Sequence, residues 1–126
     1  MNLPEGLHYS SDHEWVQVVG DSVRIGITDY AQDALGDVVY VDLPSTGTSV
    51  TAGSTFGEVE STKSVSDLFA PVSGEIMTVN DELADAPERL NTDPYGDGWI
   101  CTIAMSDTQE LDALLDAAGY AALIDG

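Results

Sequence analysis

Basic residues are nearly absent from this chain. Lys63, Arg24 and Arg89 are its three side-chain cations in 126 residues, against 23 acids and a formal net charge of −20. Lysine is ordinarily among the commonest residues, so a single one draws attention to its position. With no basic face to neutralise phosphates, the composition excludes nucleic-acid binding. Cysteine occurs once, Cys101, in the apolar segment 99–105. That excludes an internal disulfide framework and fits a small buried hydrophobe better than a reactive thiol. Histidine occurs twice, at His8 and His13; without a Cys or His cluster no metal site is expected, and His13 reads as a packed, hydrogen-bonded side chain beside Trp15. Long hydrophobic runs are also missing. No segment nears the roughly 18 apolar residues needed to cross a bilayer, and residues 1–5 lack the basic and apolar regions of a signal peptide. The expectation is a cytoplasmic protein with neither nucleic acid nor membrane as a partner.

What is present is a globular composition, 43% apolar, at a length that supports one domain over residues 1–126 with a genuine core. The acids are spread along the chain rather than gathered in a tail. Such a surface repels itself at low ionic strength. A Debye length of about 3 Å at 1 M salt makes it tolerable, which points to a high-salt cytoplasm.

Most of the chain reads as short strands separated by turn chemistry. Residues 14–19 and 22–27 flank Gly20-Asp21, a pair suited to a hairpin. Val23, Ile25 and Ile27 alternate with Arg24 and Gly26, the period of a half-buried strand. Thr28 can cap a helix over residues 29–35 that Gly36 stops. Residues 37–43, 75–80 and 99–105 read as further strands, and residues 81–94 as an irregular acidic connection with one helical turn. Pro44-x-x-Gly47 and Pro71-x-x-Gly74 lie on either side of Lys63, each a turn after an apolar strand. Near the end, Ser106 to Gln109 fits a capping box. Leu111, Leu114 and Leu115 recur at helical spacing, and Tyr120, Leu123 and Ile124 continue the stripe. The expectation is a core over about 7–105, with C-terminal helices at about 107–124 covering an edge or open end of the sheet.

Lys63 falls between two strand-like stretches, in Gly57-Glu-Val-Glu-Ser-Thr-Lys-Ser-Val-Ser-Asp67. A covalent swinging arm needs an amine on a tight turn, stiff flanking strands, and small neighbours that let a modifying enzyme close over it. Val59, Val65, Leu68 and Phe69 can anchor the strands, while Ser61, Thr62 and Ser64 keep the tip small. From the residues alone two readings stand: an attachment lysine, or a surface lysine paired with Glu60 or Asp67 for a fraction of a kcal/mol.

Residues 60–67, followed by Ala70-Pro-Val-Ser-Gly-Glu-Ile76, resemble the lipoyl-attachment region of the glycine cleavage system H proteins. Residues 9–16, 25–32, 35–44, 90–99 and 111–120 resemble the same family in the same order, so the resemblance runs from about residue 7 to residue 124. It implies a mainly β fold, a flattened barrel-sandwich hybrid with a short helix and C-terminal helices. It further implies a non-catalytic carrier bearing lipoate as an amide on Lys63. The implied partners are a pyridoxal-phosphate-dependent glycine decarboxylase that loads an aminomethyl group, a tetrahydrofolate-dependent aminomethyltransferase that unloads it, a dihydrolipoyl dehydrogenase that reoxidises the dithiol, and a lipoylating enzyme. Glu14 and Asp67 match acidic family positions and are the candidates for meeting the cationic amine of the arm in a sheltering cleft. Glu60 is the candidate recognition contact for the lipoylating enzyme.

Thr62 and Ser64 depart from the aliphatic residue and alanine usual beside the family's lysine, but both stay small. They also replace the methionines that typically flank the lysine of a biotin carrier. A lipoyl domain of a 2-oxoacid dehydrogenase complex would lack the block at 9–16 and the C-terminal helices. Donation of lipoate to other proteins, or an unmodified interaction module, are the other readings. A catalytic role in its own right finds no nucleophile–base pair or cofactor loop.

Overall fold

A computed structural model describes residues 2–125. The Gly20-Asp21 pair makes the expected hairpin. β2 (Glu14–Val19) and β3 (Ser22–Ile27) pair antiparallel from Glu14 opposite Ile27 to Val19 opposite Ser22. β2 also pairs with β1 (His8–Tyr9), and β3 pairs with β9 (Cys101–Met105). β9 is followed across the sheet by β8 (Gly74–Val79) and β5 (Ser49–Val50), giving the order β1-β2-β3-β9-β8-β5. A second sheet holds β4 (Val38–Asp42), β6 (Thr55–Ser61) and β7 (Val65–Phe69) in that order. The strands following the two Pro-x-x-Gly turns pair with one another, Ser49 with Glu75 and Val50 with Gly74.

The two antiparallel sheets face each other without closing into a barrel. Between them lies one apolar cluster that draws Val16, Ile25 and Ile103 from the first sheet and Val41, Val59 and Leu68 from the second. Each such side chain, fully buried, contributes about 1.5–3 kcal/mol, and this packing is what fixes the β6–β7 hairpin relative to β2. A smaller cluster of Tyr9, Trp15 and Tyr120 packs with Leu115 and Ile124 around β1.

Thr28 caps α1 (Asp29–Leu35) by accepting the Ala31 N–H, and Gly36 ends it, as the sequence predicts. The connection after β8 makes two short turns, α2 (Glu82–Asp85) and α3 (Arg89–Thr92), where one was expected. The C-terminal segment differs more. Asp107, not Ser106, is the cap, accepting the Gln109 N–H, and residues Thr108–Ala113 form a 3-10 helix. Leu111, Leu114 and Leu115 therefore do not share one α-helix. Leu114 is extended, and Leu115 exchanges both backbone hydrogen bonds with Tyr9 at 2.7 Å. β1 is an edge with unpaired backbone groups, and satisfying it outweighs continuing the helix. α4 (Ala117–Asp125) then covers that edge, Tyr120 stacking on Tyr9 at 4.9 Å between ring centres. Among the described residues no helix is long and apolar enough to cross a membrane.

Candidate functional site

The tip of the β6–β7 hairpin is held by one small side chain. Ser61 is 7% exposed. Its N–H donates to Ser64 O at 2.8 Å, while its Oγ accepts the N–H groups of Lys63 and Ser64 at 3.2 and 3.1 Å. Thr62 N–H donates to Asp37 O at 3.0 Å, pinning the tip to the start of β4. Between them Lys63 is exposed. A turn whose backbone donors are all met keeps a fixed shape while its lysine faces solvent.

The three cations divide cleanly. Arg24 sits over the Trp99 ring, 4.9 Å from its centre, a cation–π contact. Arg89 pairs with Glu82. Lys63 has no ion pair among the described residues, so the reading that tied it to Glu60 or Asp67 is not what the fold does. Its aliphatic stem instead crosses Gly36: a Cβ there would lie 3.1 Å from Lys63 Cε. Gly36 has φ 78° and ψ −157°, a region open essentially to glycine alone. Asn91 on α3 holds this crossing from beneath, donating to Gly36 O at 2.8 Å and accepting Val38 N–H at 2.9 Å.

From Ser64 a cleft of about 310 Å³ extends between β7 and α1. Ser66, Asp67 and Leu68 line it from the strand, and Tyr30, Ala34 and Leu35 from the helix. Asp12, His13 and Glu14 complete its wall. Two of the sequence candidates, Glu14 and Asp67, therefore share one cleft beside Lys63. They differ in setting. Asp67 is exposed, whereas Glu14 is 2% exposed. Glu14 Oε2 accepts the Phe69 N–H at 2.8 Å, and Oε1 accepts the Ser10 hydroxyl at 3.2 Å. Burial pushes the Glu14 carboxyl up to about 8 despite these bonds, and the nearby Asp12 adds to the rise. A cation entering the cleft would favour its ionised form.

Glu60 stands apart. It is exposed, pairs across the hairpin with Val65, and looks out beside Tyr40 and Glu58 rather than into the cleft. His13 is hydrogen-bonded as expected, but to Tyr120 Oη at 2.8 Å, with its ring 4.8 Å from Tyr30. Burial lowers its pKa below the ordinary imidazole value, with Asp12 opposing. Cys101 is fully buried, its thiol pushed up to about 12 by burial, which removes it as a nucleophile.

A family model described as glycine cleavage H-protein matches residues 7–126. The glycine cleavage system H protein of Micrococcus luteus is 59% identical over 122 residues, covering 95% of each chain. That of Anaeromyxobacter sp. (strain K) is 54% identical over 125 residues, covering 99% of this chain and 98% of the relative. The crystal structure of a glycine cleavage system H protein from Mycobacterium marinum superposes with a TM-score of 0.90 at 45% identity, over 98% of this chain and all of that one. With its hairpin lysine, its flanking cleft and this likeness along nearly its whole length, the chain belongs to the glycine cleavage H-protein family and is a non-catalytic lipoyl carrier of the glycine cleavage system.

Proposed function

We propose that Lys63 is the residue that bears the lipoyl group, in a single carrier domain spanning the chain, and that the cleft between β7 and α1 receives the arm. The observation that carries this is the isolation of Lys63: alone of the three cations it has neither an ionic nor an aromatic partner among the described residues, on a turn whose backbone donors are all met. The residues fit the group. Gly36 keeps the amine end of the Lys63 side chain clear of any Cβ, and the cleft opens at the very next residue, Ser64. When bound, lipoate supplies a dithiol–disulfide couple able to carry a one-carbon amine and a pair of electrons between active sites. The chain's own residues bind and shelter. Glu14 and Asp67 offer carboxylate acceptors to a cationic amine, and the apolar helix wall excludes water.

The other enzymes of the system act on this arm. In our reading they are the glycine decarboxylase, the aminomethyltransferase and the dihydrolipoyl dehydrogenase, all met in a salt-rich cytoplasm. Glu60, exposed three positions before Lys63 and facing away from the cleft, suits recognition by the lipoylating enzyme without competing for the arm. Intact-mass measurement of protein from its native cells, with fragmentation, tests the attachment. A lipoyl amide located on Lys63 and absent from Lys63→Arg supports the reading. A bare Lys63 in cells that lipoylate their other carriers would overturn it.

A further inference from the structure

Tyr120 stands on the C-terminal helix, yet its hydroxyl touches two walls of the cleft. His13 Nδ1 lies 2.8 Å from it, and so does Thr28 Oγ1. His13 belongs to the turn that enters β2 beside Glu14 and lines the cleft. Thr28 is the cap of α1, which brings Tyr30 and Ala34 to the cleft. Thr28 N–H also donates to His13 O at 3.1 Å. One phenol oxygen thus joins the turn to the start of the helix.

His13 is the residue other than glycine with a positive φ, 69°, among those described. L residues hold that conformation only where the surroundings over-determine it. Here the backbone bonds from His13 N–H to Ser10 O and from Thr28 N–H to His13 O, both 3.1 Å, hold the turn, and the Tyr120 hydroxyl and Tyr30 ring hold the side chain. The Tyr120 ring is fully buried against Tyr9, packing that a phenylalanine would serve equally. The hydroxyl has a separate task. Thr28 Oγ1 already accepts the Ala31 N–H, and when its own proton goes to Tyr120 Oη the Tyr120 proton goes to His13 Nδ1. That leaves the imidazole proton on Nε2, the nitrogen not engaged by Tyr120.

We propose that Tyr120 is a positioning residue for the arm: its hydroxyl sets the tautomer and orientation of His13 and ties that turn to α1, so the C-terminal helix governs how firmly the cleft holds the lipoyl group. This rests on the reading that the cleft receives the arm from Lys63.

The test compares the full chain as wild type, Tyr120→Phe and Ile124→Ala, each unmodified and lipoylated. Ile124 packs in the cluster around Tyr120 but makes no bond to the hydroxyl, so its truncation controls for loosening of the helix. Long-range proton–nitrogen NMR reads the His13 tautomer, and amide shifts at Tyr30, Ala34 and Asp67 on lipoylation read occupancy of the cleft. Wild type is expected to show His13 protonated on Nε2 and clear shifts at all three amides. Tyr120→Phe is expected to lose the tautomer preference and at least half of the lipoylation shifts, while Ile124→Ala melts earlier yet keeps both. Retention of the tautomer and the full shifts in Tyr120→Phe overturns the proposal, as does an equal loss of shifts in Ile124→Ala. The absence of shifts in lipoylated wild type would overturn the arm-cleft reading and this proposal together. The tautomer in unmodified protein, which needs no arm, distinguishes the two failures.

Discussion

Glu14 and Phe69 join the two sheets through a single hydrogen bond: the Phe69 backbone N–H, on edge strand β7, donates to Glu14 Oε2 across 2.8 Å. An edge strand exposes backbone donors that another chain can pair with. Here that donor is met by a carboxyl from the opposite sheet, and the strand edge is turned into the wall of a cleft. The same bond places a carboxyl where water is scarce.

That placement makes stability depend on pH in a defined sense. Burial raises the folded Glu14 carboxyl from the ordinary 4.5 to about 8. Between those values the native state keeps a proton that the unfolded chain releases, so the Glu14 contribution falls as pH rises and levels off above about 8. Glu14→Gln retains an acceptor for Phe69 but cannot titrate. Urea unfolding at fixed salt should show the Gln variant gaining on wild type steadily from pH 5 to pH 8. Parallel pH curves would mean the carboxyl ionises normally.

Gly36 and Lys63 test the base of the arm. Alanine at Gly36 meets both a backbone conformation reserved for glycine and a Lys63 Cε at 3.1 Å. Gly36→Ala should cost about 1–3 kcal/mol and slow lipoylation several-fold, because the lysine stem must leave its resting place. Intact-mass time courses with a lipoylating enzyme read the second effect. A loss of stability with an unchanged modification rate would confine Gly36 to ending the helix.

A second glycine supports the aromatic cluster. Gly26 faces Trp15 across the β2–β3 ladder, and a Cβ there would lie 2.6 Å from the indole Nε1. That nitrogen donates to Pro94 O at 2.8 Å. Gly26→Ala must displace the ring and leave the carbonyl without its donor, an expected cost of about 3 kcal/mol. The fluorescence of Trp15 should shift to longer wavelength as water reaches it. An unshifted spectrum with native stability would show that the sheet gives way instead.

These relationships divide according to what local pattern can carry. The β2–β3 hairpin, the Thr28 cap and the stop at Gly36 follow from residues close in sequence and were legible there. Lys63 was legible through its rarity, and the family resemblance gave it a role. Glu14 and Asp67 are cleft candidates through the family resemblance alone, because local pattern cannot show a cleft that forms only when the second sheet folds over the first. Ser61 read only as a small tip residue, because capping a turn with Oγ looks the same in sequence as being merely polar. Asn91 lies 53 residues from the Val38 N–H it accepts, in a stretch that read as irregular. Tyr120 was placed in an apolar stripe, and nothing in a stripe indicates where a buried hydroxyl points. The 3-10 turn at Thr108–Ala113 is not legible in leucine spacing, because the distant edge of β1 claims Leu115.

The acid excess has a specific structural focus on the second sheet. Asp42 faces Glu58 across β4–β6, and Glu58 faces Asp67 across β6–β7, so three carboxylates form a row over neighbouring strands. Like charges directly opposite on antiparallel strands sit about 5 Å apart and destabilise. Among the described residues no cation pairs with them, since Arg24 lies over Trp99, Arg89 pairs with Glu82 and Lys63 makes no ion pair. Salt at 0.1 M screens over about 10 Å, too far to separate such neighbours, whereas 1 M salt screens within about 3 Å. Unfolding midpoints should therefore rise steeply from 0.1 to 2 M potassium chloride. Glu58→Gln, which removes the centre of the row, should stabilise the protein by about 0.5–1 kcal/mol at 0.1 M and lose that advantage at 2 M. The salt dependence of the difference isolates the row from the rest of the −20 surface. A Glu58→Gln gain that persists unchanged at 2 M would reflect strand propensity rather than charge.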